Sequence, residues 1–296
     1  MANKKNQHFV PQFYLRRFCG GGKLWVYDKE KRKFWHQNPS EVAKKAHYYS
    51  VEGADGTLTV GVEDLLGIIE VKTHDVFAKI DSGEQLDNID KSTLARFIGY
   101  QMVRVPHFRR LCNDIAESLI DEDTKLSFGD IEHARESLIE IGTSQSRITD
   151  EHLSELVKFT NEIRYNITVD KSLSIEKILQ LGETLGKLFH GLRWRINVVT
   201  KDDAFITSDN PLTIVGPPTD GADCGVGVLT PGALKLFPLS SDFCLVMSDK
   251  GDRIVRKPLQ SELVGWMNSC TARNATRFLI AQDKDVLAET IKEAVL

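Results

Sequence analysis

His8 to Tyr27, HFVPQFYLRRFCGGGKLWVY, is the stretch whose reading decides the fold. Pro11 suits the first position of a helix, where its missing N–H costs nothing and its fixed φ is already helical. A short helix from Pro11 to Phe18 gathers Val10, Tyr14, Leu15 and Phe18 on an apolar face and leaves Gln12, Arg16 and Arg17 elsewhere. Gly20 to Gly22 supply the left-handed stop that ends many helices. Leu24 and Val26 then alternate with Trp25 and Tyr27, Asp28 to Lys33 turns the chain, and Phe34-Trp35-His36 reads as the returning strand of a hairpin. His8 therefore stands just before a helix N-terminus, in a segment too apolar to be a free tail.

Outward from there, Pro39 and Ser40 are expected to open a helix through Ala46, and His47 to Val51 to return as a strand, closing a small N-terminal α/β cap over residues 1–60. Residues 61–191 read as a helical middle. Leu65, Ile69 and Val76 mark one side of its first helix, while Glu63, Gly67, Glu70 and His74 share the other. Leu94, Phe97, Ile98, Met102 and Val105 mark the buried face of the next, capped by Asp90 or Ser92 and kinked or interrupted at Pro106. Around that proline Arg96, Arg104, His107, Arg109 and Arg110 form the most basic short region. Acidic helices follow over Ile131 to Ile141 and Asp150 to Ile167, the second capped by Thr149, and another over Ser174 to Phe189. Beyond Leu192 the period changes to two, as Trp194, Ile196 and Val198 oppose Arg193, Arg195 and Asn197. Residues 192–296 thus read as a mostly antiparallel sheet with flanking helices, and the whole as α+β.

Across 296 residues, 41% hydrophobic and 27% charged content is ordinary for a globular chain, and a net charge of −4 gives no overall attraction to nucleic acid or anionic membrane. Such contact would need a local basic patch. Five scattered cysteines without a Cys-x-x-Cys pair argue against a zinc ribbon or a disulfide framework. The opening MANKKNQHFVP lacks the apolar stretch of a signal peptide, and no uncharged run reaches bilayer length. A cytoplasmic location with no membrane partner is the expectation.

The run HFVPQFYLRRF, then KLWVYDK and HYYS, resembles the opening of the bacterial domain-of-unknown-function family 4238. VEDLLGIIE, RFIGYQMVRVP, FITSDNPL and FPLSS continue the resemblance in order across most of the chain. The family implies no established reaction, so it supplies a frame and candidate positions.

Four groups of residues carry candidate chemistry. His8 with Gln12 and Arg17 stands at a helix N-terminus, where backbone N–H groups favour an anion; the plainer reading is a histidine hydrogen-bonded inside a structural hairpin. Glu63, Glu70 and His74 have the types of a hard-metal site or an acid/base pair, and equally of a solvated helix face. Arg96 and Arg104 suit bidentate phosphate contacts with Gln101 close by, unless they pair with nearby acids. Asp209 and Asn210 end a strand before Pro211, where ligand-binding residues are often displayed, but Asp-Asn-Pro is also a strong turn sequence. The leading expectation is a phosphodiesterase or nuclease-like enzyme with a pocket of His8, Glu63, Glu70, Arg104 and Asp209, holding Mg2+ or Mn2+. The alternatives are a non-catalytic module binding a nucleotide, nucleic acid or protein, and a buried structural network.

Overall fold

The structure, a computed structural model, describes residues 6–46, 48, 51–52, 58–59, 61–162, 171–200, 202–217, 226–251 and 254–296, with residues 6, 51–52, 58–59, 61–63, 146 and 171–178 described by backbone alone. In chain order the elements are β1 (Asn6–His8), α1 (Gln12–Leu15), β2 (Leu24–Asp28), β3 (Lys33–Gln37), β4 (Lys44–Ala46), β5 (Val51–Glu52) and β6 (Leu58–Thr59). Then come α2 (Gly61–Ser82), α3 (Asn88–Arg104), α4 (Pro106–Phe128), α5 (Ile131–Glu140), α6 (Asp150–Glu162) and α7 (Lys171–Gly191). The C-terminal part holds β7 (Arg193–Val198), β8 (Thr207–Ser208), β9 (Thr213–Val215), β10 (Leu234–Pro238), β11 (Phe243–Ser248), β12 (Val255–Pro258), α8 (Ser261–Asn274), β13 (Phe278–Ala281) and α9 (Lys284–Ala294). The protein is α+β, with helices concentrated between β-containing ends. No described helix is long and apolar enough to cross a membrane.

Contacts divide the chain into two compact units, Met1–Phe108 with Ile175–Leu296, and Arg109–Ser174. The first contains two larger sheets. One has strand order β12-β7-β11-β10-β9, antiparallel except for the parallel edge pair β12-β7. The other, β3-β2-β13-β8, joins the N-terminal hairpin to the C-terminal strand β13, with Val26 opposite Ile280.

The apolar face of the first helix explains why this unit closes around it. Val10, Tyr14, Leu15 and Phe18 are all fully buried. The Tyr14 ring lies 5.3 Å from Phe18 and 5.4 Å from Phe237, with Phe97 at 6.3 Å. Its hydroxyl donates to the Pro238 carbonyl and shares a hydrogen bond with Thr207 Oγ1, each at 2.7 Å, so the buried phenol is satisfied.

Two expectations are corrected. Pro39–Ala46 is not a helix: one 3-10 turn spans Pro39–Glu41, and Ala43 at φ +52 turns the chain into β4, which pairs with β1 so that His8 faces Lys44. A left-handed residue ends helical continuation, and short β4 had too few residues to show a period. The α3 cap is Asp87 and not Asp90 or Ser92: the Asp87 carboxylate accepts from the Ile89 and Asp90 amides at 2.7 and 2.8 Å, while Asp90 reaches back to the Asp87 amide at 3.1 Å. That reciprocal pair satisfies donors a helix start leaves open. The interruption at Pro106 is present, with Val105 extended at ψ 149, as the residue before a proline prefers. Most of the strand expected over His47 to Val51 lies outside the described residues, as does the end of the helix expected to reach Ile167.

The second unit contains α5, α6 and the part of α4 from Arg109 onward. Ala134, Ile148 and Leu153 form its small core, and Thr149 caps α6 through the His152 amide at 3.2 Å.

Candidate functional site

At the end of β1, the His8 main chain is held by α3. Arg104 Nη2 donates to the His8 carbonyl and Arg104 Nη1 to Glu70 Oε1, both at 2.8 Å. One turn earlier, Gln101 Nε2 donates to the Phe9 carbonyl at 2.9 Å. The His8 ring lies with Nε2 3.1 Å from the Ser40 carbonyl and Nδ1 3.5 Å from Gln12 Nε2. A neutral ring with its proton on Nε2 suits both neighbours. Burial, above all, holds its pKa below the ordinary histidine value, and the positive charges of Lys44 and Arg104 push the same way.

The structure therefore brings His8, Gln12, Glu70, Gln101 and Arg104 together, from β1, α1, α2 and α3. Their chemistry is mostly consumed internally. The Arg104 side chain is 6% exposed, and its fork is spent on a carboxylate and a carbonyl. Gln101 is fully buried, and its side-chain oxygen has no hydrogen-bond partner among the described residues.

Other expected residues sit in separate networks. The Arg17 fork reaches Asp81 at 2.7 and 2.8 Å, its Nε donates to the Leu239 carbonyl, and its guanidinium lies 4.4 Å from the Phe77 ring centre. Arg96 pairs with Glu183 at 3.0 Å, and Tyr100 donates to the same carboxylate. Asp209 accepts from the Thr276 and Arg277 amides at 2.9 Å each, fastening β8 to the turn before β13. Burial pushes its pKa up to about 6 against the pull of those amides. Asn210 and Asn274 exchange side-chain to main-chain bonds at 3.2 and 3.0 Å. His74 is exposed, and the Glu63 side chain lies outside the described residues. Among the described residues no group of three or more His, Cys, Asp or Glu is placed to hold a metal ion.

Sequence reasoning missed the open sites. A cleft of about 640 Å3 has a floor of Ile80, Leu192 and Ile196 and cationic walls of Lys91, Arg193 and Arg256. Lys91 and Arg256 donate to the Leu192 and Ile80 carbonyls, each at 2.8 Å, which orients both side chains at the cleft. Glu84 and Asp87 also line it; the Asp87 carboxylate accepts from the first turn of α3, and those amides hold its pKa below the ordinary value, so it stays negative. A smaller hollow of about 180 Å3 is lined by Arg193, Arg195, Lys250 and Lys257 with Val246 and Val255, and among the described residues no carboxylate lines it. The alternation of Arg193 and Arg195 was legible as a strand, but the parallel β12 beside it was not.

A family model described as "Protein of unknown function (DUF4238)" matches residues 6–285. No curated protein and no solved structure matches the chain.

Proposed function

The chain belongs to the DUF4238 family of proteins of unknown function, and on that premise, which brings no reaction with it, we propose that it is a non-catalytic binding module for a phosphate-bearing ligand of nucleotide size. The observation that carries this reading is the cleft whose apolar floor is flanked by Lys91, Arg193 and Arg256. Its volume of about 640 Å3 falls within the range of small-molecule sites. Aliphatic side chains suit the faces of a base and sugar, and three cations suit phosphate. By contrast, Arg104 and Glu70 already hold each other and the His8 main chain. A bacterial, cytoplasmic setting belongs to the same reading; Cys19, Cys112, Cys244 and Cys270 form no disulfide among the described residues, which suits a reducing compartment.

Calorimetric titration of the whole protein with nucleoside mono-, di- and triphosphates tests the proposal. Saturable binding, lost in Arg193→Glu, is expected. Arg193 is exposed and has no ion pair among the described residues, so its reversal should leave the fold intact. No heat with any nucleotide would overturn the reading.

His8 favours the enzymatic reading, a phosphodiesterase or nuclease-like activity, because a half-buried imidazole kept neutral beside an ion pair can serve as a base. Wild-type protein incubated with RNA, DNA and small phosphodiesters, with Mg2+, Mn2+ or chelator, decides it. Turnover reduced roughly 10²-fold in His8→Ala would support catalysis, and no cleavage anywhere in that panel would end it.

A further inference from the structure

The parallel edge of the five-stranded sheet makes the two basic hollows neighbours. β12 is the outermost strand, and successive residues of a strand point to opposite faces. Arg256 lies in the cleft and the next residue, Lys257, in the hollow; on β7, Ile196 lies in the cleft and Arg195 in the hollow. Arg193, at the start of β7, lines both. Register places Arg195 opposite Val255 and Asn197 opposite Lys257. The cations of the hollow thus stand mainly on paired strands, which hold their backbone positions fixed. None of Arg193, Arg195, Lys250 and Lys257 has an ion pair or side-chain hydrogen bond among the described residues, although the whole chain is acidic at −4. A cationic side chain left unpaired in an acidic protein retains its charge for a partner.

We propose that these two hollows form one track for single-stranded nucleic acid, which passes round the β12 edge with a base in the cleft and its following phosphates over Arg193, Arg195 and Lys257. This rests on the reading of the cleft as a phosphate-ligand site and extends it from a mononucleotide to a strand. The hollow suits the extension because its four cations, with no lining acid among the described residues, exceed what one phosphate group needs and match a repeating anion. A single strand is favoured over a duplex because only an unpaired base can reach the aliphatic floor of Ile80, Leu192 and Ile196. Isoleucine and leucine offer no hydrogen bonds to base edges, so the track should accept many sequences.

Fluorescence anisotropy with a labelled single-stranded oligonucleotide, its duplex and a labelled mononucleotide, each across a salt series, tests this. The single strand should bind more tightly than either other probe, with log affinity falling linearly with log salt. Arg195→Glu and Lys257→Glu should each weaken oligonucleotide binding and reduce that slope by about 0.7 for each phosphate no longer neutralised. Both should leave mononucleotide binding in the cleft unchanged, since neither residue lines it. Arg16→Glu, the same charge change at an exposed residue in neither hollow, should leave both kinds of binding as they are. If the mononucleotide binds but the strand gains nothing over it, or gains equally in Arg195→Glu, the track is wrong and the cleft reading stands. If neither binds, both readings fall. Equal affinity for duplex would overturn the single-strand assignment.

Discussion

Arg104 holds His8 by its main chain: Nη2 of the arginine donates to the His8 carbonyl oxygen at 2.8 Å, while Nη1 is held by Glu70. A planar fork can serve a carbonyl and a carboxylate at once, and this joins β1, α2 and α3 at one point. The residue that looked most like a phosphate contact is thus engaged in fixing the N-terminal segment.

Replacing Arg104 should therefore act on stability. Arg104→Ala leaves the His8 carbonyl and Glu70 without their shared donor, a loss of about 1–3 kcal/mol. Arg104→Lys should recover only part of it, because one ammonium lacks the fixed fork. Chemical denaturation of the three proteins checks this. An unchanged midpoint in Arg104→Ala would show that the clamp contributes nothing.

Asp209 gives a pH signature of unusual sign. In the folded protein it holds its proton up to about pH 6, against an ordinary value of 3.8, because burial outweighs the amides that favour its charge. Between those values the folded state binds more protons than the unfolded chain, so stability from this group is full below the ordinary value and is lost as pH rises through about 6. Asp209→Asn cannot titrate there. The stability of wild type relative to Asp209→Asn should fall, by on the order of 3 kcal/mol, from about pH 4 to about pH 7. A gap that stayed level or widened over that range would refute the burial argument.

His8 should act in the opposite direction. Its folded pKa lies below the ordinary 6.5, so the unfolded chain binds the proton more readily. Stability from His8 is complete above about 6.5 and is lost as pH falls through the depressed folded value. An NMR titration of the imidazole in the intact protein should give a midpoint below 6.5. A midpoint at or above that value would show that the ring is more solvated, or more strongly paired with Glu70, than the geometry indicates.

Local pattern was enough to read the apolar face of Val10, Tyr14, Leu15 and Phe18, and the β2-β3 hairpin, because each is a period within one short stretch. It was enough for Pro106, whose effect is steric and immediate. It failed at β4, where the deciding fact is the left-handed Ala43, a residue with no special preference for that conformation. The residues around His8 were legible as candidates, but their partners were not. Arg104 and Gln101 bind main-chain oxygens of His8 and Phe9, and a carbonyl has no sequence signature. Nor did the basic edge stand out, since Arg195 and Lys257 become neighbours only through a parallel pairing of distant segments.

The close approach of α3 to α7 depends on three glycines, and it supplies a prediction in which two known effects oppose each other. A methyl group on Gly99 would run into the Gly182 carbonyl oxygen and would stand 2.6 Å from the Gly186 nitrogen; both obstacles are backbone. On the other side, a methyl on Gly186 would lie 2.9 Å from the Arg96 Cα. Alanine in a helix interior is favoured over glycine by about 0.8–1 kcal/mol. Overpacking against groups that cannot rotate away costs about 1–3 kcal/mol and sometimes more, because the helices themselves must separate. The clash should win at Gly99, so Gly99→Ala is expected to lower Tm. Gly67, in α2, is the control: nothing lies within 4 Å of its added methyl, so propensity acts alone and Gly67→Ala should raise Tm. Thermal unfolding of both variants beside wild type measures the contrast. A Gly99→Ala protein as stable as wild type would mean that α3 and α7 do not pack this closely.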